Sequence, residues 1–99
     1  MLFIINKSAT QSHALSDCVK KAYAGDVILL IEHAVYSVVE IKPPAVFQAL
    51  RENVSVCALQ PDLLVRGLDK ERCYDFLEYV DYSGFVALVE NNKPIRSCF

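Results

Sequence analysis

The chain has no tryptophan, a single methionine and only three glycines. Phosphate-cradling loops need closely spaced glycines to bring the backbone up to the ligand, and neither GxGxxG nor GxxxxGK[ST] occurs. There is also no HExxH zinc helix and no GxSxG nucleophile elbow. Two histidines, His13 and His33, are too few for a histidine-rich metal site. A cationic excess is missing as well. Ten Lys and Arg stand against twelve Asp and Glu, without the basic bias of a protein that grips a phosphate backbone by itself. Direct nucleic-acid binding by this chain is therefore not expected. No apolar run approaches the roughly 18 residues of a membrane span. The opening 1–5 is apolar, but Asn6, Lys7 and Ser8 end it short of an export h-region. Nothing points to a metal or organic cofactor.

What the chain does have is four cysteines, Cys18, Cys57, Cys73 and Cys98. No two stand in a CxxC, and separations of 39, 16 and 25 residues do not match the close-spaced ligand pairs of a structural zinc site. Unpaired thiols without an export signal fit a reducing cytoplasm. A cysteine with a chemical task is then expected to work alone, as a thiolate that carries or passes on a group. Free cysteine is also among the most buried residue types, so packing is the expected role of Cys57 and Cys73. Cys18 stands between the two readings.

Ninety-nine residues make one domain, able to bury roughly 60–65% of its unfolded surface. An apolar fraction of 54% is high for so short a chain. Small domains have much surface per residue, so apolar side chains are left over for an interface, and an oligomeric component is expected.

Residues 2–5 read as a short apolar strand, continuous rather than alternating, as in a parallel strand covered on both faces. Thr10 or Ser12 can cap a helix over about 13–24, with Leu15 and Val19 on its apolar stripe and Cys18 beside it. Residues 27–31 are the strongest strand. Residues 34–41 read as a helical turn followed by an extended piece. Pro44 can open a helix over roughly 44–52. Residues 54–59 make a third strand. Residues 61–67 make a short helix closed by Gly67. Residues 76–80 make a fourth strand, and Asp81 or Ser83 caps a last helix. Pro94 ends the order, leaving 95–99 as a tail. This alternation predicts an α/β three-layer sandwich with a mostly parallel sheet of four to five strands.

Two clusters invite functional readings. Glu32-His33 follows the central strand at the sheet edge where ligands collect in open α/β folds. An acidic helix start beside a solvent-facing imidazole accounts for the same pair. Tyr74, Phe76, Tyr79, Tyr82 and Phe85 could stack on bases, but Asp75, Glu78 and Asp81 among them favour core or protein interface.

Taken in order, several segments resemble the DsrH/TusB family over nearly the whole length. These are Asn6-Lys7-Ser8, Leu15 with Cys18 three residues on, Gly25-Asp26 before a strand ending Leu29-Leu30, then Glu32 and Ala34-Val35-Tyr36. The most specific is Leu59-Gln60-Pro61-Asp62-Leu63 with Arg66-Gly67, followed by Val80-Asp81-Tyr82-Ser83-Gly84-Phe85-Val86.

The resemblance implies a DsrE/DsrF/DsrH-like fold in a heterohexamer of three related subunits, each present twice. The implied partners are TusC/DsrF-like and TusD/DsrE-like subunits and a TusE/DsrC-like sulfur acceptor. Persulfide sulfur would pass through the assembly towards 2-thiouridine at the tRNA wobble position. The alternatives are the dissimilatory sulfur-oxidation branch or a standalone cysteine-dependent sulfurtransferase with Cys18 or Cys98 as nucleophile, against which the lack of an evident base argues. The B/H-type subunit is not the principal carrier, so this chain is not expected to be the catalytic one. Cys18 falls where DsrH-type members have a cysteine, which marks it as an auxiliary persulfide site. Lys21, one helical turn on, is the nearest support for a thiolate there. Cys98-Phe99 stands where the family tends to end near a tryptophan, and the resemblance assigns Cys98 no role.

Overall fold

The computed structural model describes residues 1–9, 11–38, 45–69, 71 and 73–99 of the chain, without the side chains of 45 and 46. Its centre is a five-stranded sheet in the order β4-β3-β2-β1-β5. The strands are β1 (Leu2–Ile5), β2 (Val27–Leu30), β3 (Ser55–Leu59), β4 (Leu77–Val80) and β5 (Ile95–Cys98). Every pairing is parallel. β1, β2 and β3 carry continuous apolar runs because both faces of each are covered.

Alternate residues serve opposite faces. Phe3, Ile5, Ile28, Leu30, Val56 and Ala58 join the larger core, beneath helix α1 (Ala14–Lys21), helix α2 (Gln60–Val65) and two 3-10 helices at Glu32–Val38 and Ala45–Ala49. Leu2, Ile4, Val27, Leu29 and Cys57 form a smaller core on the other face, packed by Phe85, Leu88 and Val89 of helix α3 (Tyr82–Asn91). The chain leaves β4 at one edge of the sheet, crosses that second face as α3, and returns as β5 at the opposite edge.

Local chemistry explains the joints. α1 starts at Ala14 with His13 as its N-cap and no side-chain cap, so the expected Ser12 cap is corrected: Ser12 Oγ accepts the Ala14 N–H at 3.1 Å from one residue further out, and Thr10 lies outside the described residues. Asp26 accepts the N-terminal ammonium and the Tyr23 N–H, both at 2.9 Å, holding the start of β2 against the start of β1. Those bonds keep the Asp26 carboxyl below its usual range. Gly67 has a φ of +67°, the left-handed position that closes α2. Asp81 caps α3 as expected, its Oδ1 accepting from Gly84 N–H at 2.7 Å and Ser83 Oγ at 2.9 Å. A side chain at position 84 would stand 3.1 Å from Val80 Cβ, so glycine lets that first turn close on the strand.

Three further expectations are corrected. Residues 95–99 are not a free tail: Ile95–Cys98 is β5, paired with β1 in the register Leu2↔Ile95 to Ile5↔Cys98. The helix over 44–52 is a 3-10 helix at Ala45–Ala49, with its expected start at Pro44 outside the described residues. The segment after β2 is a 3-10 helix at Glu32–Val38, and its expected extended part at 39–41 is likewise outside them.

Candidate functional site

The strand order reverses between β1 and β5, the kind of place where open α/β sheets take ligands. A cavity of about 250 Å³ lies along β5 there, lined among others by Asp17, Cys18 and Lys21 of α1 and by Arg96, Cys98 and Phe99. The sheet pleat explains the grouping. Arg96 and Cys98 are two residues apart and in register with Phe3 and Ile5, which face α1. Cys18 and Lys21 are three apart on one helix face.

Cys18 Sγ lies 3.0 Å from Cys98 Sγ. The expectation that any working cysteine acts alone is thereby corrected, because two thiols 80 positions apart in sequence meet at one site. Cys18 is 3% exposed, while Cys98 is half-buried at the rim. Burial of the thiol, together with the Cys98 sulfur beside it, pushes the Cys18 pKa up to about 12. Lys21 and Arg96 pull the other way and lose. Lys21 therefore does give the support its spacing predicts, but Cys18 is not an activated thiolate at neutral pH. It keeps its proton, and either of the two sulfurs can donate in the contact between them.

The other cysteines differ. Cys57 is buried on the α3 side, 4.0 Å from Oε2 of Glu78, its register neighbour on β4. Burial and the Glu78 charge raise its pKa to about 11. Cys73 donates to the Asp69 carbonyl oxygen at 3.4 Å. Both have packing surroundings. Among the described residues no three His, Cys, Asp or Glu side chains converge as a metal site.

The Glu32-His33 pair is exposed and does not form a catalytic dyad. His33 stacks on Tyr36 at 5.9 Å, and the Glu32 backbone N–H donates to Asp62 Oδ2 at 2.7 Å. Asp62 thus secures the turn after β2, where Glu32 has a φ of +50°. Arg66, one turn along α2, reaches Asp62 and lies over the Tyr36 ring. The Pro61-Asp62-Leu63 and Arg66-Gly67 segment therefore ties α2 to the central strand. Of the aromatic run, Tyr74 and Phe76 stack on each other and meet Phe47 edge-on.

The sequence profile of the family described as DsrH like protein matches residues 7–95. The chain belongs to the DsrH-like family. Solved structures agree with that placement in fold. Protein Tm0979 from Thermotoga maritima is 25% identical, with a TM-score of 0.67 over 94% of this chain and 95% of its own. MTH1491 from Methanobacterium thermoautotrophicum, described as a protein of unknown function, is 13% identical, with a TM-score of 0.76 over 97% and 96%. The ychN protein from E. coli is 14% identical, with a TM-score of 0.74 over 97% of both chains. No curated protein sequence matches the chain. Within this DsrH-like chain, sequence reasoning found Cys18 and Lys21 and named Cys98 as an alternative nucleophile, but missed Arg96 and the meeting of Cys98 with Cys18. The spacing of two between Arg96 and Cys98 would have marked them as one face of a strand had the stretch after Pro94 been read as extended.

Proposed function

We propose that the chain is a non-principal subunit of a heterohexameric sulfur-relay complex that passes persulfide sulfur towards 2-thiouridine at the tRNA wobble position. The family match over residues 7–95 is the observation that carries this reading. TusC/DsrF-like and TusD/DsrE-like subunits are the partners, and a TusE/DsrC-like protein takes the sulfur. The chain chiefly builds the complex and shapes its partners' site, while Cys18 serves as an auxiliary sulfur site. Two physical features support that division of labour. A thiol held protonated is a poor primary carrier. Large apolar side chains remain exposed on the helices, Tyr82 at 63% and Val86 at 55% on α3 and Leu64 and Val65 on α2, as a subunit with interfaces to fill requires. No helix among the described residues is long and apolar enough to cross a membrane. The relay proposed here works in the cytoplasm.

Gentle purification from source cells tests the reading. Two copies each of this chain and two related α/β subunits are expected, and a lone monomer or homodimer overturns it. A co-purifying tRNA thiouridylase and loss of wobble 2-thiouridine on deletion are expected for the tRNA branch. An unchanged tRNA with impaired sulfur oxidation would move the chain to the dissimilatory branch. A Cys18→Ala variant that abolishes transfer within an intact complex would sink the auxiliary role.

A further inference from the structure

Two thiols in contact, one sealed under a helix and one at the rim of a cavity, can do what neither can do singly. We infer that Cys98 and Cys18 form a dithiol couple that takes the outer sulfur of a persulfide, releases it as sulfide, and closes to an intrachain disulfide. The inference rests on the sulfur-relay reading only for its substrate class, and it gives Cys18 the part of a resolving thiol in place of an auxiliary sulfur-holding one. The couple itself rests on the 3.0 Å approach of the two sulfurs.

The roles follow from access. Cys98 lines the cavity from the chain-terminal strand and is the sulfur an incoming group meets first. Lys21 and Arg96 flank it from α1 and β5 and outnumber Asp17, the acidic side chain of the same lining, a balance that suits a small anionic persulfide. The Cys98 sulfur attacks the outer sulfur of R–S–SH, and the Cys98 proton ends on the departing R–S group. One S–S bond breaks and one forms, giving Cys98–S–SH and a thiol R–SH. Cys18 then attacks the inner sulfur of Cys98, and hydrogen sulfide departs carrying the Cys18 proton. The sum is R–S–SH plus two thiols giving R–SH, hydrogen sulfide and the Cys18–Cys98 disulfide. The sulfane sulfur is reduced by two electrons, and the two thiols are oxidised by the same two. A dithiol reductant resets the pair.

Neighbouring geometry makes the second step selective. Cys57 lies in the core on the opposite face of the sheet, and Cys73 packs beside Asp69, so neither competes as resolving thiol. A persulfide on Cys98 is therefore resolved only by Cys18, slowly at neutral pH because that thiol keeps its proton and faster in mild alkali, and it is stable when Cys18 is absent or already oxidised.

The test uses the full-length reduced chain under anaerobic conditions in mild alkali with glutathione persulfide as probe. Intact mass, peptide mapping and released sulfide are read after rapid desalting. The wild-type chain is expected to lose two hydrogens, about 2 Da, with a Cys18–Cys98 linkage and about one sulfide per chain above a protein-free control. Cys18→Ser is expected to gain one sulfur, about 32 Da, held on Cys98 without prompt sulfide release. Wild-type chain that retains the added sulfur on either cysteine, or that links Cys57 or Cys73 instead, overturns the couple. A parallel oxidation with diamide separates the two ideas. A diamide-formed Cys18–Cys98 disulfide with no reaction towards the persulfide would overturn the sulfide-releasing step while leaving the contact of the two thiols intact. No Cys18–Cys98 disulfide with either reagent would overturn the couple altogether. Neither result bears on whether the chain assembles with relay partners, which its purified complex decides separately.

Discussion

The two faces of the sheet bury cysteines in opposite circumstances. Beneath α1, Cys18 meets a second thiol, two cations and a cavity. Beneath α3, Cys57 meets Glu78 and apolar side chains. Both thiols are held above their usual range, to about 12 and about 11. Burial is the first cause in each case, so burial alone does not mark a chemical site. What separates them is the partner: a second sulfur offers a covalent bond to form, while the Glu78 carboxylate offers the Cys57 thiol only an acceptor. The faces also differ in how they are closed. Among the described residues the α1 side buries 17 hydrophobic residues and the α3 side five. α1 contributes Leu15, Cys18 and Val19 as buried residues, whereas α3 contributes none.

That contrast predicts unequal costs. Leu15→Ala should destabilise the chain by about 3 kcal/mol in urea unfolding, because Leu15 is fully buried and its neighbours cannot collapse around it. Leu88→Ala, on the half-buried side of α3, should cost only about 1 kcal/mol, since it gives up less burial. Equal losses in the isolated chain would erase the distinction between the faces. A much larger effect of Val86→Asp on complex assembly than on the chain's own stability would sharpen it, by showing α3 completed by a partner.

Alkali should weaken both faces. A thiol whose folded pKa is raised favours the protonated native state. Its contribution is complete below the unfolded value of 9.0 and is lost as pH rises towards about 11 for Cys57 and about 12 for Cys18. Thermal unfolding should therefore fall steadily over that window, and less steeply in Cys57→Ala. A flat profile between pH 9 and 11 would contradict the buried, protonated state of both thiols. At neutral pH the faces should part in reactivity. Iodoacetamide should modify Cys98 at least about tenfold faster than Cys18 or Cys57. Cys18 should gain reactivity in Cys98→Ser, which removes one cause of its raised pKa, while Cys57 should not change.

The smallest effect belongs to the cap of α3. Asp81→Ala should lower the melting temperature modestly, and Asp81→Asn should retain most of the cap. The Gly84 and Ser83 bonds hold the Asp81 carboxyl below its usual 3.8. Its stabilisation is thus present above that value and is lost as pH falls through the lower folded one. The gap between wild type and Asp81→Ala should close in acid.

Much of this fold was legible because local signals and tertiary demands coincided. Leu2–Ile5, Val27–Leu30 and residues 56–59 of β3 are apolar without interruption, as suits a doubly covered parallel strand. Asp81 and Gly67 announced their helix ends by residue type alone. The DsrH-like segments also kept their order, and the family match bears them out. β5 was not legible for a physical reason. It is an edge strand, largely exposed, and Ile95-Arg96-Ser97-Cys98 has too little apolar content to be distinguished from a tail. Missing β5 meant missing Cys98 as a neighbour of Cys18. No spacing rule covers a pair brought together by sheet order, and Pro94 read as a terminator where it actually stands just before a strand. The Lys21 support for Cys18 was legible from helical geometry, but the burial that outweighs it was not.

The meeting of the first helix with the last strand has a topological consequence. Joining positions 18 and 98, which are 80 apart in sequence, would close residues 18–98 into one covalent ring. In a chain-entropy account, so large a ring stabilises the folded state by about 4–5 kcal/mol, since the unfolded molecule can no longer spread as an open line. The oxidised molecule would also survive a single peptide-bond cut anywhere within the ring as one covalent particle, whereas the reduced molecule would yield two pieces on denaturation. Two electrons would decide whether a nick is a scar or a break.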